Sequence, residues 1–364
     1  MTFRERLLAV FAGERPDRLP WFGDLGYWRH AHALMGDLPQ QYQGNEGYVR
    51  LHHDYHCGMY LGFTSVYGAR SHADITTDSQ RDGDRITTTY AAPFGSMTGL
   101  QMDMPFAGTT AWLQYPVRTP DDLRLIRYLY ESQEIYPNFD PWLEGDRLTG
   151  DQGIHIAAIP RGGISSLLAE WCGVTNLSYL LADARPEVEK TVEVMLARNA
   201  AIIDVICQSP APLVEFCDNL TGEVVTRLFR GYQFDFYTEQ IKKLHAHGKK
   251  TLSHVDGTLR GILPLMAATG LDAAESVTPM PCGDVAIEDL RELAGPDLIL
   301  FGGMPGAMFA PPFTADDIKR QVETIIEHHW AYNKFVLGAA DQVPPNADMN
   351  LVRLTGELCV QLTG

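Results

Sequence analysis

The chain has 364 residues, and 45% of them are hydrophobic, which is enough apolar material for one large domain with a substantial core. Its formal net charge of −17 argues against a nucleic-acid partner, because binding a phosphate backbone calls for basic stripes. Six cysteines without a CxxC pair, the lack of a signal-peptide pattern and the lack of any apolar run of about 18 residues predict a cytoplasmic protein without disulfides or membrane spans.

The amino-terminal part of the sequence predicts a helix, a strand and an inserted hairpin. Residues 2–11 have a helical pattern with a capping pair at the start, and 18–24 form a first short strand. Segment 85–90 alternates apolar and polar residues, is rich in β-branched side chains and is followed by proline and glycine. This pattern predicts an antiparallel β-hairpin inserted at about 80–115.

From His155 onward, short apolar runs alternate with helical stretches. The predicted strands are 155–159, 213–216, 251–254, 273–277, 298–301 and 335–337. The helical stretches include 186–207, 223–246, 287–293 and 315–329. This alternation is typical of a parallel sheet covered by helices. With the first strand and one more near 64–67 the strands number eight. We therefore predict an α/β fold: a single (β/α)8 TIM-like barrel over 1–364, with an N-terminal helical segment and no second domain.

Polar residues stand at the carboxyl ends of these predicted strands, where the chemistry of such barrels lies. They are Asp24, Arg161, the run from Glu215 to Asn219 that includes Asp218, His254, Asp256, Glu275 and Asp341. Carboxylates combined with one imidazole are plausible ligands of a divalent cation, so the set predicts a metal site. For any single aspartate, a helix N-cap is the alternative explanation, and Asp218 and Asp256 are the most open to it.

The segment around His254 is the centre of the predicted metal site. Residues two apart in a strand point to the same face, so His254 and Asp256 would lie side by side and suit a metal ion or a proton-transfer pair. The alternative is a core histidine beside a capping aspartate. Tyr27 and Trp28, which follow the first strand, and Trp171 are candidate pocket walls for an aromatic or cationic substrate. Core packing or a dimer interface explains such aromatic residues equally well.

Several segments together resemble the uroporphyrinogen decarboxylase superfamily. They are the opening 4–20, Gly248 before the strand that ends in His254-x-Asp256-Gly257, the Gly302-Gly303 turn, and Asp341-x-Val-Pro344. The resemblance covers nearly the whole chain, most clearly 1–25 and 213–355, and implies the same barrel. Homodimers occur in this superfamily, so a homodimer is one of the states that the sequence leaves open.

Two branches of the superfamily imply different chemistry. True uroporphyrinogen decarboxylases carry an Arg-Gln-Ala-Gly-Arg stretch after the first strand, whereas this chain has Gly23-Asp-Leu-Gly-Tyr-Trp28 and lacks those arginines. An acidic mouth is also a poor receptor for a polycarboxylate. The chain is more similar to the zinc- and corrinoid-dependent methyltransferase branch. Relative to that branch, His254 and Gly257 match the His-x-Cys-Gly motif, but Asp256 and Asp341 replace its two cysteines.

This resemblance implies a site and a function. The metal ligands would be His254, Asp256 and Asp341, with Glu275 or Cys282 as an alternative third ligand, and zinc is the first ion to expect. Carboxylates in place of thiolates make the ion a harder Lewis acid that suits oxygen ligands.

The expected activity is demethylation of a small O- or N-methylated substrate, with a corrinoid protein as acceptor. His254, Asp256, Glu275 and Asp218 are the expected catalytic residues, and the expected substrate-binding residues are Tyr27, Trp28, Arg161 and Glu215. Two alternatives stay open: a cofactor-free decarboxylase or lyase, and a non-catalytic barrel that binds a corrinoid or another ligand.

Overall fold

Parallel strands alternate with helices along most of the chain. A computed structural model describes residues 1–60, 65–72 and 74–364. In these residues the strands are β1 (Trp21–Phe22), β2 (Tyr67–Ser71), β3 (Thr76–Asp82), β4 (Arg85–Ala92), β5 (Gly95–Met104), β6 (Thr109–Gln114), β7 (Gln133–Pro137), β8 (Ala157–Ile159), β9 (Leu213–Leu220), β10 (Lys250–Val255), β11 (Ala273–Val277), β12 (Ile299–Pro305) and β13 (Phe335–Ala340). The helices are α1 (Phe3–Ala12), α2 (Gly26–Met35), α3 (Gly44–Asp54), α4 (Pro120–Glu131), α5 (Asp140–Thr149), α6 (Gly163–Ser166), α7 (Gly173–Asp183), α8 (Arg185–Gln208), α9 (Gly222–Tyr232), α10 (Phe234–Ala246), α11 (Leu263–Ala268), α12 (Leu290–Ala294), α13 (Ala315–His329) and α14 (Met349–Thr363).

The largest sheet is parallel and curls into the predicted TIM-like barrel. Its strand order is β1-β13-β12-β11-β10-β9-β8 among the described residues. Two isolated parallel bridges, Phe22 to Gly58 and Met59 to Gly153, connect its two edges. Gly58 and Met59 therefore occupy the position of the second barrel strand. A Cβ at Gly58 would lie 2.5 Å from the Phe22 ring, so only glycine allows this close approach.

The predicted second strand near 64–67 is wrong. Thr64 lies outside the described residues, and Tyr67 begins β2, which pairs antiparallel with β7 in a separate two-stranded sheet. Among the described residues, Gly58 and Met59 make the bridges at this position of the barrel, and it was missed because no run of alternating or β-branched residues marks them in the sequence.

The barrel interior is filled by apolar side chains from successive strands. One buried cluster includes Phe22 of β1, Leu213 of β9, Leu252 of β10 and Val336 of β13. The larger cluster lies between the strands and the surrounding helices and includes Ile241 of α10. The interior is thus a packed core, and open space for chemistry is left at the mouth of the barrel.

The predicted insertion is present and is larger than one hairpin. Strands β3 to β6 form a four-stranded antiparallel sheet in sequence order. The predicted segment 85–90 lies in β4, whose antiparallel partner β5 completes the expected hairpin. Met97 of β5 is buried with residues of α4 and α8, so the inserted sheet packs over the helical layer of the barrel.

Helices are close to the sequence prediction, with one difference at Gln233. The capping box of Thr2 and Glu5 starts α1 as expected. The predicted continuous helix 223–246 is instead divided at Gln233 into α9 and α10. The side chain of Gln233 is buried and bonds Ser165 and Asp218, so the break places a polar group beside the barrel mouth.

Candidate active site

A cavity of about 300 Å³ opens at the carboxyl ends of the barrel strands. Its lining residues come from several different strands and the loops that follow them. They are Asp24, Tyr60, Arg161, Glu215, Cys217, Asn219, His254, Glu275, Asp341 and Gln342. Four carboxyl groups therefore share one small space with one imidazole and one guanidinium.

Glu215, His254 and Glu275 form the centre of this cavity. They lie on the neighbouring strands β9, β10 and β11, and His254 is in register with Glu275. Each offers one ligand-type atom, and these three atoms all lie within 4.8 Å of one another. The imidazole Nδ1 of His254 lies 2.7 Å from Glu275 Oε2. Parallel neighbouring strands thus bring together three residues that are far apart in sequence.

Burial and crowding of charge alter the proton affinity of this cluster. Burial raises the pKa of Glu215 well above its usual value, and the adjacent Glu275 carboxyl raises it further. Burial opposes the charged form of His254, but the carboxylates of Glu275, Glu215 and Asp341 outweigh this effect and raise its pKa to about 10. The imidazolium therefore compensates part of the surrounding negative charge.

Two further groups hold the carboxyls of the cavity in place. Tyr60 is buried, and its hydroxyl donates to Glu275 Oε1 at 2.7 Å. The buried Asp24 carboxylate accepts from the backbone N–H of Gly26 at 2.8 Å and from Gln342 Nε2 at 2.5 Å. Burial raises the pKa of Asp24, although these two donors act in the opposite direction. Asp24 is therefore a fixed part of the wall.

Asp218 belongs to a separate buried network beside the cavity. Its carboxylate accepts from Gly162 N at 3.1 Å, Gln233 Nε2 at 3.3 Å and the Tyr237 hydroxyl at 2.5 Å. Its backbone carbonyl accepts from Arg161 Nε at 3.3 Å. Burial raises the pKa of Asp218 to about 6, despite these donors. The network holds the segment that carries Arg161 against β9.

A family model supplies the decisive comparison. The model described as "Uroporphyrinogen decarboxylase (URO-D)" matches residues 92–359. The chain belongs to the URO-D family. This confirms the family resemblance predicted from the sequence.

One solved structure has a fold similar to that of this URO-D protein. A methyltransferase from Methanosarcina mazei superimposes with a TM-score of 0.63 at 12% identity, covering 100% of both chains. A Listeria monocytogenes protein named "Putative Vitamin-B12 Independent Methionine Synthase" has a TM-score of 0.40 and 10% identity, with 95% of this chain and 97% of that chain covered. No curated protein matches the sequence. Within the described residues, every helix is too short or too polar to cross a lipid bilayer.

The predicted metal ligands are distributed around the cavity of this URO-D chain. His254 is central, and its Nε2 faces Asp341 Oδ1 at 3.6 Å. Burial raises the pKa of Asp341 to about 6. Asp256 lies outside the lining, and its Oδ1 accepts the N–H of Gly257 at 2.6 Å. Cys282 is exposed. The ligand roles of Asp341, Asp256 and Cys282 stay predictions.

The four predicted substrate-binding residues divide into two pairs. Arg161 and Glu215 line the cavity. Trp28 is 8% exposed and packs against His32 at a ring distance of 4.3 Å, and both Tyr27 and Trp28 lie outside the lining. Their position on α2, beyond the end of β1, directs Trp28 into the core of the surrounding helices. Their role in substrate binding stays a prediction.

Sequence reasoning missed two residues of the site. Tyr60 follows the bridge residues Gly58 and Met59, and it was overlooked because that short strand was not recognised. Gln342 directly follows Asp341 and reaches back to Asp24. The position of Gln342 one residue after a predicted strand-end aspartate was the only signal for it in the sequence.

Proposed function

We propose that this URO-D protein is a metal-dependent methyltransferase that demethylates a small O- or N-methylated substrate and delivers the methyl group to a corrinoid protein. One observation carries the proposal: the ligand-type atoms of Glu215, His254 and Glu275 lie within 4.8 Å of one another at the open end of the barrel. The structural likeness to a methyltransferase from Methanosarcina mazei supports methyl transfer, and the corrinoid acceptor rests on the His254–Gly257 motif resemblance.

The donor set fits a divalent cation. It combines one imidazole with two carboxylates, and a divalent cation would offset carboxyl groups that burial forces together. Without thiolate ligands the set is hard and suits zinc, manganese or iron with an oxygen-bearing substrate. Zinc is the first ion to test.

The residues of the cavity can prepare such a reaction. A divalent ion held here would act as a Lewis acid toward an ether or carboxyl oxygen of the substrate. Tyr60 and His254 each hold one oxygen of Glu275, so this carboxylate has a fixed orientation. Arg161 lines the same space and provides a positive group for an anionic part of the substrate.

Two arrangements of ligands are compatible with His254. Its Nδ1 side faces Glu275, whereas its Nε2 side faces Asp341. In the first arrangement Glu215 and Glu275 bind the ion directly. In the second, Asp341 binds with His254 Nε2, and Glu275 orients the imidazole from behind, as carboxylates often do for ligating histidines.

Elemental analysis of protein purified without a metal-affinity tag tests the proposal. We expect near-stoichiometric zinc, manganese or iron that is lost in His254→Ala and kept in His53→Ala, which changes an exposed histidine of α3. Glu215→Gln and Asp341→Asn distinguish the two arrangements, because each removes a ligand from only one of them. Methyl transfer from methoxylated or N-methylated donors to a Co(I) corrinoid then tests the reaction.

A metal-free protein, even after excess ions are offered, would contradict the transferase mechanism. The second candidate is then a cofactor-free carboxy-lyase, and the observation that favours it is the Arg161 guanidinium in the cavity, which can hold a substrate carboxylate. A barrel that only binds a corrinoid would keep its ligand in His254→Ala and turn over no substrate.

A further inference from the structure

A second cavity lies at the opposite end of β1 from the candidate active site. It has a volume of about 390 Å³ and lies where α1, the segment before β1 and α14 meet. Arg18 to Trp21 line it at the amino end of β1, whereas Asp24 follows the carboxyl end of the same strand. Its size is in the range of small-molecule sites.

Apolar side chains form most of its walls. Phe3 of α1, Leu19 and Val360 of α14 all line it. The backbone N–H of Leu19 donates to Thr363 Oγ1 at 2.9 Å and ties the two sides of the cavity together. The cavity therefore lies between two segments that are hydrogen-bonded to each other.

Two arginines provide positive charge in this cavity. Arg6 is 4% exposed and already forms a two-pronged ion pair with Asp17, with distances of 2.6 and 2.9 Å. Arg18 is half-buried, and it makes no hydrogen bond or ion pair with the residues that the structure describes. Burial, with the like charge of Arg6 added, lowers the pKa of the Arg18 guanidinium. The negative charge of Asp17 acts in the opposite direction, but among the described residues no anion bonds the Arg18 guanidinium.

We propose that this cavity binds a small organic monoanion, a carboxylate on an apolar body. The carboxylate pairs with Arg18, and the apolar body lies against Phe3, Leu19 and Val360. A monoanion fits better than a dianionic phosphate for two reasons. Asp17 already neutralises Arg6, and the carboxylate of Glu357 also lines the cavity.

Calorimetric titration of benzoate into the full chain tests this site. We expect saturable one-to-one binding that Arg18→Gln weakens about tenfold or more, since hydrogen bonds to charged groups contribute about 1.5–3 kcal/mol. Arg227→Gln, at an exposed arginine of α9, should leave the affinity unchanged. Arg18 has no partner in the described residues to lose, so the thermal midpoint of Arg18→Gln should match that of the wild type.

A further variant tests the cavity itself, apart from the charge. Val360→Trp should block benzoate binding, because the larger side chain fills the groove. Benzyl alcohol, a neutral analogue, should not bind measurably. All titrations use the full chain with chelator present, so that benzoate cannot bind a metal ion, and the proposal does not depend on the activity at the other end of the barrel.

Several results would overturn the proposal. Lack of saturable benzoate binding by the wild type, or equal affinity in Arg18→Gln, would remove the site. Tighter binding of phenyl phosphate than benzoate would contradict the carboxylate assignment. A dimer in the wild type that becomes a monomer in Arg18→Gln, measured by sedimentation velocity, would show that a second copy of the chain fills the cavity instead.

Discussion

Glu215 and Asp218 lie three residues apart on β9, and both are buried carboxyl groups with raised pKa values. Asp218 is surrounded by donors: a backbone N–H, an amide and a hydroxyl all point at its oxygens. Glu215 instead lines the open cavity and faces another carboxyl group, that of Glu275. Two buried carboxyl groups on one strand therefore have different surroundings: donors around Asp218, and an open cavity beside Glu215.

The difference shows which buried carboxyl groups mark a functional site. A carboxylate whose oxygens all accept hydrogen bonds from fixed donors is stabilised by the protein alone and needs no ligand. Carboxyl groups that face each other across open space are costly unless a proton or a cation comes between them. By this criterion Glu215 is the clearest candidate to bind a cation, whereas we expect Asp218 to position the Arg161 segment, and its catalytic role stays a prediction. Glu275 is intermediate, because its oxygens accept from Tyr60 and His254 while it also faces Glu215.

The largest expected effect is on metal affinity, and it tests the cluster of Glu215, His254 and Glu275. Glu275→Gln should weaken binding of a divalent ion about a hundredfold or more, because it replaces a charged group that either binds the ion or orients His254. Competition with a fluorescent chelator measures the affinity. Asp272→Asn, at the other end of β11, is the matched control and should bind the ion as the wild type does. Equal weakening in both variants would show a general loss of structure and not a metal site.

Much of this architecture could be predicted from the sequence. The regular alternation of strands and helices after His155 predicted the parallel sheet. Because chemistry in such barrels lies at the carboxyl ends of the strands, Glu215, His254 and Glu275 were predicted to lie together at one edge. The predicted position of the second barrel strand was wrong, because Gly58 and Met59, which make the bridges in the described part of the chain, have no periodic pattern around them. Tyr60 was missed for the same reason. The periodicity of apolar residues predicts long strands and helices, but two residues are too few to show it.

Side-chain direction was the part that sequence could not supply. Asp218 and Glu215 are both strand-end acids, and only the three-dimensional positions of Tyr237, Gln233 and Gly162 separate their roles. Trp28 is similar: it follows a strand end, yet it packs into the core. Such differences depend on partners from distant segments, which spacing within one segment does not encode.

The next expected effect concerns the pH dependence of stability and tests the Asp218 network. The pKa of Asp218 is raised from 3.8 to about 6, so the folded state holds its proton more tightly than the unfolded state. Its contribution to the free energy of unfolding therefore falls as the pH rises from about 4 to about 6, by about 3 kcal/mol in total. Asp218→Asn lacks this group, so wild-type stability should decline relative to the variant over that range.

Urea unfolding at a series of pH values measures this difference, with chelator present so that metal binding does not contribute. Asp316→Asn, in the exposed first turn of α13, is the control and should parallel the wild type at all pH values. A wild-type curve that runs parallel to the Asp218→Asn curve would mean that the donors outweigh burial and that the carboxylate stays charged throughout.

The smallest expected effect concerns Tyr60, which connects the two kinds of carboxyl group. Tyr60 gives Glu275 one fixed donor, yet leaves the other oxygen of that carboxylate to His254. Tyr60→Phe removes only the hydroxyl, so the affinity for a divalent ion should fall about tenfold, the lower range for a group that orients a ligand. Tyr42→Phe removes a hydroxyl bonded to Asp54, outside the cavity, and should leave the affinity unchanged. If Tyr60→Phe binds the ion as tightly as the wild type does, the Tyr60 hydroxyl is not needed to orient Glu275. The comparison of carboxyl groups with and without fixed donors would then depend on Glu215 alone.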